Sequence, residues 1–504
     1  MRRTFAGTVA VCVALAFPVG GQDAAQAARA WRQAHERQIV ADYLDFLRLP
    51  NLAKDSGHLR QSADAIMKAM AARGLNPRLL TVPDAPPVVY GELVAPNPTH
   101  TYVLYAHYDG QPVDSAQWAT PPFEPVVRAG RLDKGAEIVA LPSSGPIDPD
   151  WRIYGRSASD DKAPIVTIFT ALDALKAAHM VPSATIKFVF EGEEEAGSPH
   201  LPEILKANRD LLRADLWVIR DGPEYGGRQT ITFGARGFQG LGITVYGPTR
   251  ELHSGHYGNW APNPALMLAQ LLASMKNADG RVLVAHFYDD VVPLTAGETR
   301  ALSELPNNDE ALKVDLGLAR TEGSGASLSA LINEPSLNIR GLASGHVGDA
   351  ATNVVPSTAT ASIDLRLVKG LTHDRQAERI IDHIRAQGYF VTSAEPTPEE
   401  RQAHSRIARV VVEPGGYDAV RTPLDLAVVR PIIAALSAVR TPLSLQPTSG
   451  GSVPLSLIKH ELQTRTVLVP TANPDNNQHS ANENLRIGHL WNAIETDAAL
   501  LMTP

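Results

Sequence analysis

Apolar and polar positions follow two different periods along residues 30–235. WRQAHERQIVADYLDFLRL and SGHLRQSADAIMKAMAARGL repeat apolar residues every three or four positions, which predicts amphipathic helices, the second ending on a Gly stop signal. Short runs rich in β-branched and aromatic residues predict strands. The strands are TYVLYAHYD, ATIKFVFEGE and DLWVIRDG, and the helical APIVTIFTALDALKAA lies between the first two. Strands alternating with helices indicate an α/β domain with a mostly parallel sheet flanked by helices.

The pattern changes near Gly237. FQGLGITVYG, TATASIDLRLV and ERIIDHIRAQGYFV, with the helical PALMLAQLLASMK, predict a smaller α+β unit. After RVVVEPGGYDAV, the helix PLDLAVVRPIIAALSAV and the strand RTVLVP resume the first pattern. We therefore expect residues 30–236 and 413–504 to form one domain, with residues 237–412 inserted into it.

The N-terminus is typical of a secretory signal peptide over residues 1–27. Arg2 and Arg3 precede an apolar run at 9–17, and small residues follow, with Ala25-Gln26-Ala27 as the expected cleavage site. The run is shorter than the ~20 residues that a membrane-spanning helix needs. We therefore expect a periplasmic or secreted protein that is not held in a membrane after cleavage.

Composition excludes several classes of site. The chain has 504 residues and a formal net charge of -8, so it lacks the basic surface expected of a nucleic-acid-binding protein. The one cysteine, Cys12, lies within the predicted signal peptide. A disulfide, a thiolate nucleophile and a thiolate-bound zinc are therefore excluded in the mature chain. Any metal ion must be held by His, Asp and Glu.

Acidic residues cluster in TIKFVFEGEEEAGS, where an apolar strand ends in Glu191, Glu193, Glu194 and Glu195. Like charges at this spacing repel each other, and the repulsion grows where water is excluded. The cluster is therefore either a solvated acidic loop or a site that contains a cation. In YAHYDG, His107 and Asp109 lie two apart at a strand end, where both side chains point to one face.

Further polar residues lie at the same predicted sheet edge. Asp160 and Asp161 precede a helix, Asp221 follows a strand, and His479 lies in NNQHSANE. Each is ordinary by itself, since acidic residues also cap helices. Because the carboxyl ends of parallel strands meet at one edge, the set together predicts an N/O ligand set for zinc, manganese or cobalt. Two cations there would relieve the repulsion among the glutamates.

Seven motifs in order resemble those of the co-catalytic di-metal peptidases and amidohydrolases. They are YAHYDGQPVD, YGRSASDDKAP, FEGEEEAGS, IRDG, LHSGHYG, SGGSVP and QHSANE, which cover nearly all of the mature chain. The family includes carnosinase, nonspecific dipeptidase, succinyl-diaminopimelate desuccinylase, acetylornithine deacetylase and aminoacylase. The resemblance implies two divalent metal ions, a catalytic domain, an inserted ferredoxin-like lid and dimerisation domain, and a homodimer.

The resemblance also implies the metal ligands. His107 and Asp221 resemble the ligands of one ion, and His479 and Glu195 those of the other. Asp160 resembles the carboxylate that bridges both ions.

Other positions resemble catalytic and substrate-binding residues. Glu194 resembles the general base, and Asp109 resembles the residue that orients His107. His253 resembles the residue that stabilises the oxyanion, often in the partner subunit's site. Arg366 resembles the arginine that binds the substrate carboxylate. Gly451 and Ser452 resemble the backbone segment that lines the pocket for this carboxylate.

Four features depart from the family pattern. Ser157 and Ala163 replace glycines beside the bridging aspartate, which restricts the backbone there. Gln478 replaces a small residue before His479. A longer segment than usual spans residues 128–150, which predicts either a flap over the site or a surface insertion.

Rival interpretations fit the sequence less well. GRSAS has Ser159 where the nucleophile elbow of a serine hydrolase needs Gly, and HELQT has Thr464 where a second zinc-binding His belongs. A non-catalytic binding protein on this fold would tend to lose the base or a ligand, whereas all six positions are filled here. The expected substrate is a dipeptide or short peptide with a free carboxylate, and the alternative is an N-acyl amino acid.

Overall fold

The computed structural model describes residues 20–451 and 454–504. Most of the predicted signal peptide and Ser452 therefore lie outside the described residues. The helices are α1 Gly20–Leu47, α2 Ser56–Ala72, α3 Lys162–Ala177, α4 Leu201–Ala207, α5 Arg209–Leu212, α6 Ser254–Tyr257, α7 Pro264–Met275, α8 Ala296–Ser303, α9 Asp309–Asp315, α10 Leu328–Ile332, α11 His373–Ala386, α12 Pro398–Ala403, α13 Arg430–Val439, α14 Leu455–Leu462 and α15 Ile487–Leu501.

The strands are short, and most belong to one of two larger sheets. They are β1 Arg78–Leu80, β2 Val88–Leu93, β3 Thr101–His107, β4 Val126–Arg128, β5 Arg152–Tyr154, β6 Thr185–Glu191, β7 Leu216–Ile219, β8 Thr230–Thr232, β9 Gly234–Ala235, β10 Gly237–Tyr246, β11 Leu252–His253, β12 Ser336–Ala343, β13 Val354–Val355, β14 Thr358–Leu367, β15 Phe390–Thr392, β16 Ile407–Val412, β17 Val420–Arg421, β18 Ser444–Gln446, β19 Arg465–Leu468 and β20 Asn484–Arg486.

The first sheet has eight strands in the order β1-β2-β6-β3-β7-β19-β8-β18. Its four central strands, β6, β3, β7 and β19, are parallel to one another. Antiparallel pairs join β2 to β6 on one side and β8 to β19 on the other. The α/β fold with a sheet parallel at its centre is confirmed, and the antiparallel strands lie toward the edges.

Both faces of this sheet are buried, as its alternating side chains require. Tyr102 and Leu104 of β3 join a core that includes residues of α1, α3 and α15. Val103 and Tyr105 point to the opposite face and join a core that includes residues of α4 and α14. Successive side chains of a strand alternate between faces, so a strand buried on both sides is apolar throughout.

The second sheet has five strands in the order β12-β14-β10-β16-β15, and its core contains side chains of α7 and α11. Strands β12, β14, β10 and β16 pair antiparallel, whereas β15 is parallel to β16. This unit agrees with the expected α+β insertion. Strand β12 lies at the sheet edge, where Ile339 and Leu342 are 44% and 58% exposed.

The chain passes between the two larger sheets through the paired strands β9 and β17. At Gly234 the strands approach so closely that a Cβ atom would overlap the carbonyl oxygen of Val420. Only glycine, which has no Cβ, fits at this position.

One expected element differs from the structure, and the longer segment at 128–150 has a defined position. The helix predicted over residues 423–439 begins only at Arg430, after a 3₁₀ turn at Ala427–Val429. Pro431 explains this start, because a proline lacks the N–H that a helix interior needs and is favoured in the first turn. Residues 128–150 pack beside β5 and toward α1, where the Ile147 amide donates to Glu36. None of these residues lines the two cavities at the site described below, a position that favours the surface insertion over the flap.

Among the described residues, no helix combines the length and apolar character needed to span a bilayer.

Candidate metal centre

Three parallel strands of the first sheet bring polar residues to one edge. Strand β3 ends at His107, and Asp109 follows it. Strand β6 ends at Glu191 and continues into a 3₁₀ turn that carries Glu194 and Glu195. Asp221 follows the end of β7. These residues meet because parallel strands place their carboxyl ends at the same edge.

Two groups of side chains at this edge have the arrangement of metal ligands. One group is His107, Asp160 and Asp221, and the other is Asp160, Glu195 and His479; within each group one ligand atom per residue lies within 4.8 Å of the others. Asp160 belongs to both groups. The structure therefore brings together all five predicted ligands and gives Asp160 the position of a shared carboxylate.

The distances within these groups fit a divalent ion. His107 Nε2 lies 3.0 Å from Asp160 Oδ1, and His479 Nε2 lies 3.1 Å from Asp160 Oδ2. His479 Nε2 also lies 3.2 Å from Glu195 Oε2. Two donors bound at zinc distances in tetrahedral geometry lie roughly 3.3 Å apart. The spacing and the N/O donor set are those of a centre that could hold two ions.

Burial and charge shift the pKa values of these groups in the metal-free protein. Burial raises the pKa of Asp221 to about 7, and the Asp160 carboxylate adds to this. Burial also raises the pKa of Glu194 well above its ordinary value, although His107 opposes the shift. Hydrogen bonds that His479 donates to Asp160 and then to Glu195 raise the pKa of His479 to about 10. Carboxylates that resist ionisation when crowded and buried are those that a cation would stabilise.

Asp109 supports both halves of the site. Its Oδ1 lies 3.3 Å from His107 Nδ1, which matches the predicted orienting position. Its two carboxylate oxygens also accept the backbone N–H groups of Glu194 at 3.1 Å and Glu195 at 3.0 Å. Asp109 therefore fixes the 3₁₀ turn as well as the imidazole. The sequence pattern predicted only the first contact.

The segment that leads to Asp160 adopts an unusual backbone. The Asp160–Asp161 peptide bond is cis, and Ser157 has a φ of 63°. Ser157 thus takes a conformation that favours glycine, and Asn51 donates to its hydroxyl at 2.8 Å. Ala163 lies in the regular helix α3 and is buried there.

Sequence reasoning missed two residues that contact the ligands. Gln111 donates to Glu195 Oε2 at 2.7 Å. Glu483 is fully buried and accepts the Asp160 backbone N–H at 3.0 Å. Both lie inside motifs that resemble the family, in YAHYDGQPVD and QHSANE, and motif membership was the one signal that could have identified them.

Among the cavities that open onto the ligand groups, two are lined by both Glu194 and a ligand. The larger has a volume of about 500 Å³ and is lined by Asp221, Tyr225, Ile332 and Gly451 among others. The smaller has a volume of about 220 Å³ and is lined by Gln111, Tyr417 and Leu457 among others. Glu194 and His479 line both cavities. A small ligand therefore has room on both sides of the metal-binding side chains.

The other predicted substrate-binding residues are not all gathered here. Gly451 lines the larger cavity, whereas neither His253 nor Arg366 lines either cavity. His253 is exposed at the start of α6, with its ring 4.6 Å from that of His256. Arg366 lies on β14, where its Nε donates to Asp364 at 3.1 Å. The substrate-binding assignments of His253, Arg366, Gly451 and Ser452 stay predictions.

Gln478 contacts a ligand and lines the larger cavity. Its side-chain amide donates to Asp160 Oδ2 at 3.3 Å, and it lines the cavity beside His479. The predicted narrowing of this side of the site stays a prediction.

Residues 103–503 match the family described as Peptidase family M20/M25/M40. The chain belongs to this family. It is 26% identical over 428 residues to the Beta-Ala-His dipeptidase of Homo sapiens, covering 81% of this chain and 75% of the relative. It is also 26% identical over 445 residues to the Cys-Gly metallodipeptidase DUG1 of Saccharomyces cerevisiae, covering 86% of this chain and 85% of the relative.

A solved structure supports the same assignment. The M20 family metallo-carboxypeptidase Sso-CP2 from Sulfolobus solfataricus superimposes with a TM-score of 0.74 and 26% sequence identity, covering 92% of this M20 chain and 98% of the other. The predicted resemblance to the dipeptidase branch of the family is confirmed. The protein is therefore an enzyme of the metallopeptidase class.

Proposed function

We propose that this M20 enzyme hydrolyses dipeptides or short peptides that carry a free C-terminal carboxylate. The observation that carries the proposal is the pair of three-residue ligand groups sharing Asp160 beside the carboxyl group of Glu194, which lies 3.9 Å from His107 Nε2. The dipeptidase names of the two curated relatives support the choice of substrate.

Two divalent ions, if held by the five ligands, would supply Lewis-acid chemistry, which would polarise the scissile carbonyl and make a water molecule more acidic. Zinc is the proposed metal, and manganese or cobalt suits the same N/O donor set.

Glu194 is the proposed general base. Because Glu194 lines both cavities, its carboxylate is in reach of a water molecule on one side and a leaving group on the other. It accepts a proton from the water as the oxygen attacks the carbonyl carbon. It then donates that proton to the nitrogen as the C–N bond breaks, so the carboxylate is regenerated. Asp109 holds Glu194 in place through the backbone N–H.

The substrate carboxylate is assigned to the side of the site that contains Gly451. Backbone N–H groups there and the guanidinium of Arg366, brought closer by a movement of the inserted unit, are the proposed carboxylate-binding groups. His253 is proposed to stabilise the oxyanion from the partner subunit.

A comparison of substrates on the metal-loaded enzyme tests the proposed substrate class. A panel of dipeptides and tripeptides is assayed beside N-acetyl and N-succinyl amino acids that share the same C-terminal residue. We expect kcat/KM for dipeptides to exceed that for acylated amino acids by orders of magnitude. Turnover of acylated amino acids alone would instead assign an N-acyl-amino-acid amidohydrolase, the second candidate.

Export to the periplasm is also proposed, on the signal-peptide pattern of residues 1–27. Osmotic-shock fractionation followed by N-terminal sequencing of the recovered protein tests this. Recovery only in the cytoplasm with residues 1–19 intact would contradict it.

A homodimer formed through the inserted unit is the proposed oligomeric state. Two features of the edge strand β12 support this state. Apolar side chains of β12 are exposed, and an edge strand offers backbone N–H and C=O groups to a second chain.

A further inference from the structure

Glu483 accepts hydrogen bonds from both the segment that carries Asp160 and a neighbouring arginine. Its Oε1 accepts from the Ser159 N–H at 2.7 Å, the Ser159 hydroxyl at 2.9 Å and the Asp160 N–H at 3.0 Å. Its Oε2 accepts from the Ser157 N–H at 2.9 Å and from Arg156 Nη1 at 2.7 Å. Five donors thus converge on one carboxylate whose side chain is 0% exposed.

Glu483 also belongs to the segment that carries His479. The two segments run side by side, because β20, which begins at Asn484, pairs antiparallel with β5. The Gly155 N–H donates to the Glu483 carbonyl at 3.1 Å, which extends this pairing toward the site. Glu483 therefore connects the backbone of the shared ligand, Asp160, to the segment of a ligand that belongs to only one group.

These hydrogen bonds hold the backbone of residues 157–160 in one conformation among several that it could adopt. A non-glycine residue at positive φ, such as Ser157, is held there by its surroundings. Charge-assisted hydrogen bonds are roughly twice as strong as neutral ones, and loss of the acceptor would leave buried N–H groups unpaired. The position of the Asp160 carboxylate depends on this backbone, because the side chain extends directly from it.

We propose that Glu483 is a positioning residue that holds Asp160 and the His479 segment in the geometry needed to bind two metal ions. This inference rests on the proposed metal centre. The inference goes beyond the metal centre, because it attributes metal affinity to a carboxylate that would not touch the ions.

The variant Glu483→Gln keeps the shape of the side chain but replaces one acceptor oxygen with a donor. Changes in the groups that support metal ligands typically weaken metal binding by about 10–100-fold, and we expect a loss in this range. The dissociation constants for Zn²⁺ and Co²⁺ are measured by competition with a chromophoric chelator. The visible absorption spectrum of the Co²⁺-loaded protein is expected to change, since it reports ligand geometry.

Glu298→Gln is the matched control. Glu298 is also buried, forms an ion pair with Arg421 at 3.0 Å and accepts a backbone N–H from Thr295 at 2.7 Å. It lies in α8, outside the metal centre. We expect this variant to lower the Tm but to leave the metal dissociation constants and the Co²⁺ spectrum unchanged. A stability effect is thereby separated from a positioning effect.

Three outcomes keep the test decisive. Failure of the unmodified protein to bind two ions would overturn the proposed metal centre itself. Wild-type affinity and an unchanged Co²⁺ spectrum in Glu483→Gln would overturn the positioning inference while leaving the metal centre intact. If Glu483→Gln does not fold, Ser159→Ala removes only the hydroxyl donor, and we expect a few-fold weaker metal binding; unchanged binding overturns the inference.

Discussion

At the scale of single residues, Glu194 lies among groups that control its protonation. Burial raises its pKa well above the ordinary value, and the carboxylates of Asp221 and Glu195 add to the shift, while His107 opposes it. A cation in the centre would favour the ionised form, which is the form that accepts a proton. Bound cations would therefore favour the form of Glu194 that can act as a base.

Replacement of Glu194 separates catalysis from metal binding. We expect Glu194→Ala to retain its metal ions, because Glu194 is outside both ligand groups, and to lose about 10²–10⁴-fold in kcat. Metal content is measured by atomic spectroscopy and kcat by dipeptide hydrolysis. Glu203→Ala, on the exposed surface of α4, is the control and should keep full turnover. A wild-type rate in Glu194→Ala would remove this residue from the base position.

Metal binding should release protons, because the pKa of His479 is about 10 in the metal-free protein. Below that pKa the imidazole carries a proton that a metal ion must displace, so affinity rises as pH rises toward it. Calorimetry in buffers of different ionisation enthalpy measures the protons released, and we expect at least one per protein. His286→Gln, which alters an exposed histidine paired with Asp289, should not change this number. Affinity that is independent of pH would contradict the prediction.

The sequence predicted the ligand residues and Asp109, but not every group that holds them. His107 and Asp221 could be found because they lie at strand ends, and Asp160 because it precedes a helix within a family motif. The carboxylate of Glu483 could not be assigned a contact, since it lies 323 residues from Asp160 along the chain. Such contacts depend on how β20 and β5 come together, and no local pattern encodes that pairing.

At the scale of secondary structure, long periodic segments were predicted well and short ones were not. The predicted helix that starts at residue 56 corresponds to α2, and the predicted strand at 101–109 corresponds to β3. The edge strands β1 and β18, and β8 beside β18, have three residues each, too few to display a period. The helix before residue 440 is shorter than its apolar pattern predicts, because Pro431 lies in its first turn.

Helix α1 supplies a test of the expected cleavage site. Residues 20–27 continue this helix, and Ala24, Ala25 and Ala28 are buried against the core. A chain that begins at residue 28 lacks two of these buried methyl groups. At about 0.8 kcal/mol for each buried carbon, we expect its free energy of unfolding to be about 1–2 kcal/mol lower than that of a chain beginning at residue 20.

Urea denaturation of the two shortened chains measures that difference. Equal midpoints and slopes would mean that the first turns of α1 add nothing to the free energy of unfolding. Cleavage after Ala27 would then leave the stability of the fold unchanged. The expected difference would favour a mature chain that begins earlier in the sequence.

At the scale of the whole molecule, one sheet carries the metal centre and the other offers an exposed edge. The larger cavity is lined mostly by residues around the first sheet, and Ile332 of α10 also lines it. A residue of the inserted segment 237–412 therefore contributes to the wall of this cavity.

The proposed dimer can be tested at the exposed edge of β12. We expect Leu342→Glu to convert a dimer into a monomer, because a charge would have to be buried in the interface. Light scattering coupled to size-exclusion chromatography measures the mass. Val181→Glu places the same charge at another exposed apolar position, 68% exposed, and should not change the mass. A monomeric unmodified enzyme, or a Leu342→Glu variant that stays dimeric, would contradict this assignment.

The close approach at Gly234 has a consequence for substituted enzymes. A methyl group there would push β17 away from β9, at the point where the chain leaves one sheet for the other. A small rotation at this connection would displace the far end of the inserted unit by a larger distance. Gly234→Ala would therefore misalign distant residues that do not contact residue 234. Defects in peptide binding could therefore originate at a residue that contacts no peptide.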